Sequence, residues 1–600
     1  MTVRKVAIRL SSSFLGFAVA GVLAAGLATS PAQAATTTYD TNNTPYTGGT
    51  IDPGDTVLLN DGATVTGNVT DNGTLQFNQT APLVVTSTIS GTGTLALTNS
   101  GTLDLTGTTV ANATIVLDMT TSVSAGMLRI RTGLGQLRIG SSGTGTLNVN
   151  GGSVTGLGGF LGFNAGSVGL ATVSSGTWAT TGNMTVGRIG IGMLDVYGGR
   201  VTSDFADIGA QSGGYGSVTV SSGTLSMNRY VTVGRSGTGR LNVTGGLLMN
   251  LSGTIGAAAG GLGTAAVSGG TWSNGGDLVV GASGTGILTM TGGLVTVGGI
   301  LSKGSASTIN LNSGGTLQIG AGSTGGVLNI GSLVNNGTLI FNRSDASTYS
   351  GDLSGSGKVA KQGAGQLTLA GANSYSGLTT ISGGTVALSG TGSIGTGGLN
   401  LGITGSPGVF DLLGLTASSY SLPSSAALAG VGTIAGNGKS LAVLGSLAPG
   451  NSAGTITVGT GLALDLSNSG TSLFEITSPA FTAGTFDLVN GDGSVVFGGI
   501  LDLAFSGGSY ADGSDVLQIF AATGSRSGNF SAVNATGLAA GQSATFNPAT
   551  GTISVVPEPS TYVIAGLSSV GLAGMMRWRR NRGRERCAEN RSRPRFAPPQ

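Results

Sequence analysis

The chain lacks histidine and carries a single cysteine, Cys587, among its 600 residues. Without histidine there is no serine–histidine nucleophile pair and no histidine metal ligand. With one cysteine there is no disulfide framework and no cysteine metal cluster. Charged residues make up only 8% and aromatic residues 5%. The formal charge of +2 is itself misleading. Setting aside Arg4, Lys5 and Arg9 at one end and nine arginines from Arg577 to Arg595 at the other leaves 14 basic against 22 acidic residues between 35 and 576, a net −8. A mildly acidic body has no electrostatic footprint for nucleic acid.

What is abundant is glycine, 114 residues of it, together with Thr, Ser, Leu and Val. Glycine weakens a helix by about 1 kcal/mol per position relative to alanine. It suits short strands joined by tight turns, because it reaches positive φ without steric cost. Apolar residues still reach 39% and recur in order, which argues against a disordered chain.

The recurrence is measurable. One motif reads IGSSGTGTLNVNGGSVT from Ile139, VGRIGIGMLDVYGGRVT from Val186, VGRSGTGRLNVTGGLLM from Val233 and VGASGTGILTMTGGLVT from Val280, each 47 residues after the last. A second motif begins at Leu161, Ile208 and Ile255 with the same period. The second glycine of each GG or SG pair falls at 152, 176, 199, 223, 246, 270 and 293, in steps of 24 and 23. Leu147-Asn148-Val149 and Val218-Thr219-Val220 alternate apolar and polar side chains, so each places its apolar residues on one face of a strand. A lone unit of this size cannot bury that face, whereas stacked coils can, one every ~4.8 Å. The expected fold is all-β: a parallel β-helix, or β-solenoid, of ~23-residue coils. Trp178, Leu225 and Trp272 occupy equivalent positions and are expected to stack in one column, as core in preference to a carbohydrate platform.

The ends read differently. A basic start, an apolar run from Phe14 to Leu27 and the small-x-small site Ala32-Gln33-Ala34 form a secretory signal peptide and signal helix, cut by signal peptidase before Ala35. Near the other end, Pro557-Glu558-Pro559 precedes fifteen apolar or small residues, Tyr562 to Met576, and then Arg577, Arg579 and Arg580. As a helix these fifteen span about 22 Å, short of the ~30 Å hydrocarbon core. Trp578 and the arginines would extend the span, with the arginines on the cytoplasmic side.

This order of three elements resembles the PEP-CTERM sorting domain. The resemblance implies recognition by an exosortase, processing near Pro557-Glu558-Pro559, a transient membrane anchor through the C-terminal helix, and delivery to the cell surface or an exopolysaccharide matrix. The run GSGKVAKQGAGQLTLAGANSYSGLTTISGGTVAL, residues 355 to 388, resembles the autotransporter-associated β-strand repeat, and LAPGNSAGTITV from Leu447 resembles a motif common late in such passengers. The 47-residue array is similar to repeats shared by autotransporter and PEP-CTERM proteins. These resemblances imply the same β-helix. Only 40 residues follow Ser560, too few for the family's membrane barrel, so the sorting tail is expected to take its place.

The expected organisation is a signal peptide (1–34), N-terminal β-repeats (35–138), the double-repeat solenoid (139–315), autotransporter-type repeats (316–390), a C-terminal β region or cap (391–555), the sorting signal (556–582) and a basic tail (583–600). Glycines 320, 322 and 325 match G-x-G-x-x-G, but without a following helix the match carries no nucleotide site. Asp492, Asp512 and Asp515 read as solvated turn residues rather than calcium ligands. The rival to a structural role is a β-helix polysaccharide lyase or glycoside hydrolase, which needs clustered acids on one face. Residues 139–300 offer only Asp195, Asp204, Asp207 and Asp277. The expectation is a non-catalytic surface protein without cofactor or metal, in adhesion or exopolysaccharide association.

Overall fold

The computed structural model describes residues 34–557, apart from 92, 100–101, 106–113, 118–119, 124–126, 131–135, 451–452, 512 and 514–515. The expected signal helix and C-terminal membrane helix lie outside these residues. Within them there is no helix, and accordingly none long and apolar enough to cross a membrane.

The described residues form a parallel β-solenoid. Between residues 136 and 300 each coil supplies three strands, and each strand pairs in parallel with its counterparts one coil before and after. The first face starts in strand Thr144–Gly156 and carries Leu147, Ala171, Leu194, Val218, Leu241, Ala265 and Leu288 in successive register. These are 24 and 23 residues apart in alternation, so the 47-residue sequence repeat is two coils. The second face carries Val154, Trp178, Val201, Leu225, Leu248, Trp272 and Val295. The third carries Leu137, Gly159, Met184, Ala206, Val231, Gly253 and Leu278.

Period-two alternation does what it must in a single-layer coil: apolar residues point to the axis and polar residues to solvent. Leu147, Val149, Val154, Leu161, Val173 and Val186 are all fully buried. Trp178, Leu225 and Trp272 do share one buried column, with Val201 and Leu248 between them, so the large residues stand two coils apart.

Two kinds of corner turn the chain. The GG and SG pairs lie between the first and second faces. The corner between the third face and the next first face has a stricter rule: Gly140, Gly162, Gly187, Gly209, Gly234, Gly256 and Gly281 all hold φ between 65° and 76°. At Gly187 an added Cβ would run into the backbone carbonyl of Tyr215 on the next coil. Coil stacking and left-handed backbone together make this corner glycine-only.

Parallel pairing continues past residue 300. The second-face column runs on through Leu317, Leu339, Val359, Thr379, Leu399, Leu428, Leu447, Ser472, Leu501 and Val533. The region from 391 therefore carries the solenoid onward. It then changes character: Val516–Gln518, Gln542–Asn547 and Thr552–Pro557 form an antiparallel three-stranded sheet. Phe497, Phe520, Phe530 and Phe546 gather beside it with ring centroids 5.0–6.0 Å apart.

Candidate functional site

The residues singled out at the chain ends fall mostly outside the described region. Ala32, Glu558, Pro559, Arg577, Arg579 and Arg580 lie beyond it. Ala34 and Ala35 sit just before the first strand, Thr36–Tyr39, and the Ala35 N–H donates to Asp55 Oδ1 at 2.8 Å. Pro557 closes the last strand, opposite Gln542.

The four acids of the repeat array do not assemble. Asp204 accepts from Asn228 Nδ2 (2.9 Å), Asp277 accepts from the Ile300 N–H (2.8 Å), Asp207 pairs with Arg235 (3.0 Å), and Asp195 faces out from the first face. Asp492 accepts from Thr460 and Thr523 hydroxyls, and Asp512 and Asp515 lie outside the described residues. Among the described residues no group of three or more His, Cys, Asp or Glu side chains is placed to hold a metal ion. Gly320 to Gly325 form a turn between strands Thr316–Ile319 and Val327–Asn329, with no helix dipole to receive a phosphate.

What the solenoid does bring together lies on the third face, and periodicity did not reveal it. Register places Arg138, Phe160, Thr185, Asp207 and Thr232 in one outward row. A second outward row holds Asn183, Phe205, Tyr230 and Ser252. At the adjoining corner, the residue after each glycine is Phe163, Arg188, Ala210 and Arg235 on four successive coils, each donating its N–H to the coil before.

Two clusters result. Phe205 and Tyr230 stack face to face, centroids 4.9 Å apart and planes 7° from parallel, with Tyr230 38% exposed. Across the face, the Arg138 guanidinium lies 3.6 Å from the Phe163 ring centroid and the Arg188 guanidinium 4.3 Å from it, one from the preceding coil and one from the following coil. Phe160 closes edge-on against Phe163 at 5.5 Å. Neither arginine has a carboxylate within ion-pair distance among the described residues, and Arg138 Nε is buried without a hydrogen-bond partner there. Burial, and then the charge of Arg188, hold Arg138 below the usual guanidinium range. Cation–π contacts fix both guanidiniums without neutralising them.

A separate cluster occupies the core of residues 359–388. Lys361 is 1% exposed and its ammonium donates to the carbonyls of Gln362 (2.7 Å), Gly363 (2.8 Å) and Gly383 (3.3 Å). Burial brings its pKa down to about 8. Asn373 accepts from the Leu353 N–H and donates to the Ser393 carbonyl, clamping three coils. The Tyr375 hydroxyl is 2.7 Å from Thr379 Oγ1 in the core.

Residues 359–388 match the family model of the passenger-associated-transport-repeat. None of the curated proteins matches the chain. Within the matched segment Lys361, Asn373 and Tyr375 are internal fasteners, bonded to backbone carbonyls, a backbone N–H and the Thr379 hydroxyl.

Proposed function

We propose that this chain is an exported, non-catalytic cell-surface or matrix protein whose solenoid body displays a binding face. In this reading, signal peptidase releases the body before Ala35. An exosortase then acts on the Pro557-Glu558-Pro559 tail, and the protein serves in adhesion or exopolysaccharide association. The observation that carries it is the passenger-associated repeat at 359–388, seated in register within a parallel solenoid that continues on both sides of it. Such a repeat body offers an extended surface, which suits display. The separation of Asp195, Asp204, Asp207 and Asp277 supports the non-catalytic reading, since glycoside hydrolysis needs two carboxyl groups across one bond.

The test is fractionation of cells with and without the exosortase, following body and tail separately. Replacing Pro557, Glu558 and Pro559 together by alanine is expected to leave the protein in the inner membrane with its tail attached. Unchanged processing and location in that variant would defeat the sorting assignment.

A further inference from the structure

Five successive coils of the third face alternate in character. The first, third and fifth carry Arg138, Arg188 and Arg235; the second carries Phe160 and Phe163; the fourth carries Asp207. The Arg138 and Arg188 guanidiniums flank a single ring, 3.6 Å and 4.3 Å from the Phe163 centroid, and Arg235 stands two coils beyond Arg188. Of the three arginines only Arg235 is paired with a carboxylate among the described residues, that of Asp207, on a body whose net charge is −8. Arg188 and Arg235 occupy the same motif position, VGR, where the corresponding residues of the other coils are Ser141, Phe163, Ala210, Ala257 and Ala282.

We infer that this edge is a binding site for an acidic polysaccharide laid along the solenoid axis, its carboxylate or sulfate groups received by Arg138, Arg188 and Arg235. Guanidinium offers a planar donor fork for such oxyanions, and Phe163 keeps two of the forks pre-positioned, so less entropy is lost on binding. Asp207 sets the register by holding Arg235 at 3.0 Å. Charge density argues against nucleic acid. A nucleic-acid strand carries a phosphate on every nucleotide, so most of its charges would face an acidic body unpaired. A polysaccharide with one charge per disaccharide does not incur that repulsion. The choice of a glycan rests on the surface-display reading above; the anion site itself rests on the arginine geometry.

The probe is hyaluronan, which carries one carboxylate per disaccharide, with neutral dextran and oligo(dT) as comparisons, all on the full chain. Hyaluronan binding is expected to fall at least tenfold in Arg188→Ala/Arg235→Ala, and its salt dependence to become shallower. Arg188→Lys/Arg235→Lys should lose less, and dextran should bind neither protein. A second measurement needs no variant: hyaluronan should slow amide exchange at residues 186–190 and 233–237. Equal affinity in the alanine variant, or no added protection at these amides, overturns the site. Oligo(dT) binding as tightly as hyaluronan, with the same loss in the variant, overturns the polysaccharide. The variant leaves the chain ends untouched, so lost binding with normal location bears on this site alone, and mislocalisation of the parent chain bears on the function alone.

Discussion

At the scale of single residues, the stability of this protein turns on a few buried polar groups in an otherwise apolar column. Asp71 is fully buried, with Oδ1 accepting from the Gly73 N–H at 3.1 Å and Oδ2 without a partner among the described residues. Asn335 occupies the same place in a matching segment, NNGTLIFN against DNGTLQFN. There the Oδ1 accepts from the Gly337 N–H and the Nδ2 donates to the Lys358 carbonyl. Asp71 can copy that second bond only when protonated, and burial raises its pKa to about 6. The folded state thus binds a proton that the unfolded state releases near pH 3.9. Stability is therefore present at low pH and is lost as pH rises through about 4 to 6. Asp71→Asn should remove this loss, adding on the order of 1–2 kcal/mol at pH 7.5 and little at pH 4; denaturant melts at both pH values read it directly. Lys361 makes the complementary case. Lys361→Met keeps the apolar stem but takes the donor from three carbonyls, and is expected to cost about 2–3 kcal/mol in the same melts.

At the scale of the element, the corner decides which substitutions the coil tolerates. Gly187 and Gly260 both hold positive φ, 72° and 81°. Only Gly187 is also overhung by the next coil; a Cβ at Gly260 would meet nothing within 4 Å. Gly260→Ala should therefore cost about 1 kcal/mol, the conformational strain alone. Gly187→Ala adds a backbone clash and should cost well over 2 kcal/mol, with coils on both sides losing amide protection together. The polar ladder on the second face behaves as a unit as well. Trp272 Nε1 donates to Asn250 Oδ1, Asn250 donates to Asn274 Oδ1, and Asn274 donates to the Gly276 carbonyl. The large indole is thereby held in the core with its one polar atom satisfied.

At the scale of the whole molecule, the solenoid is quasi-one-dimensional, so coils can be removed only in whole numbers. Deleting residues 187–233 removes two coils and joins Val186 to Gly234, the repeat equivalent of Gly187. The shortened chain should keep its β-type circular dichroism and melt within a few degrees of the parent. A 35-residue deletion from the same point should abolish cooperative melting, because every inward residue downstream loses its register. The C-terminal end needs its antiparallel sheet for a different reason. Phe497, Phe520, Phe530 and Phe546 form one ring cluster beneath it, and an uncovered terminal coil is an open pairing edge. Removing 542–557 should yield a protein that aggregates, by light scattering, at concentrations where the parent does not.

How much of this was legible in the sequence follows from what repeats. Alternation and the 47-residue period, split 24 and 23, determined the strands, their inward faces and the coil length, because a stacked coil must return to the same phase to bury its apolar side chains. The passenger-type repeat was legible too, as a motif, although its lysine, asparagine and tyrosine showed their role only as fasteners between coils. Arg188 recurs as Arg235 in the repeat, but Arg138 and Phe163 carry no periodic signal, nor do Phe205 and Tyr230. They meet because register sets residues 22 to 25 apart side by side, and that spacing is decided coil by coil, by corner length and by the irregularity between Ser203 and Phe205. The end of the solenoid was likewise open in the sequence: strands Gln542–Asn547 and Thr552–Pro557 alternate like any others, and only tertiary structure turns them antiparallel over the aromatic cluster.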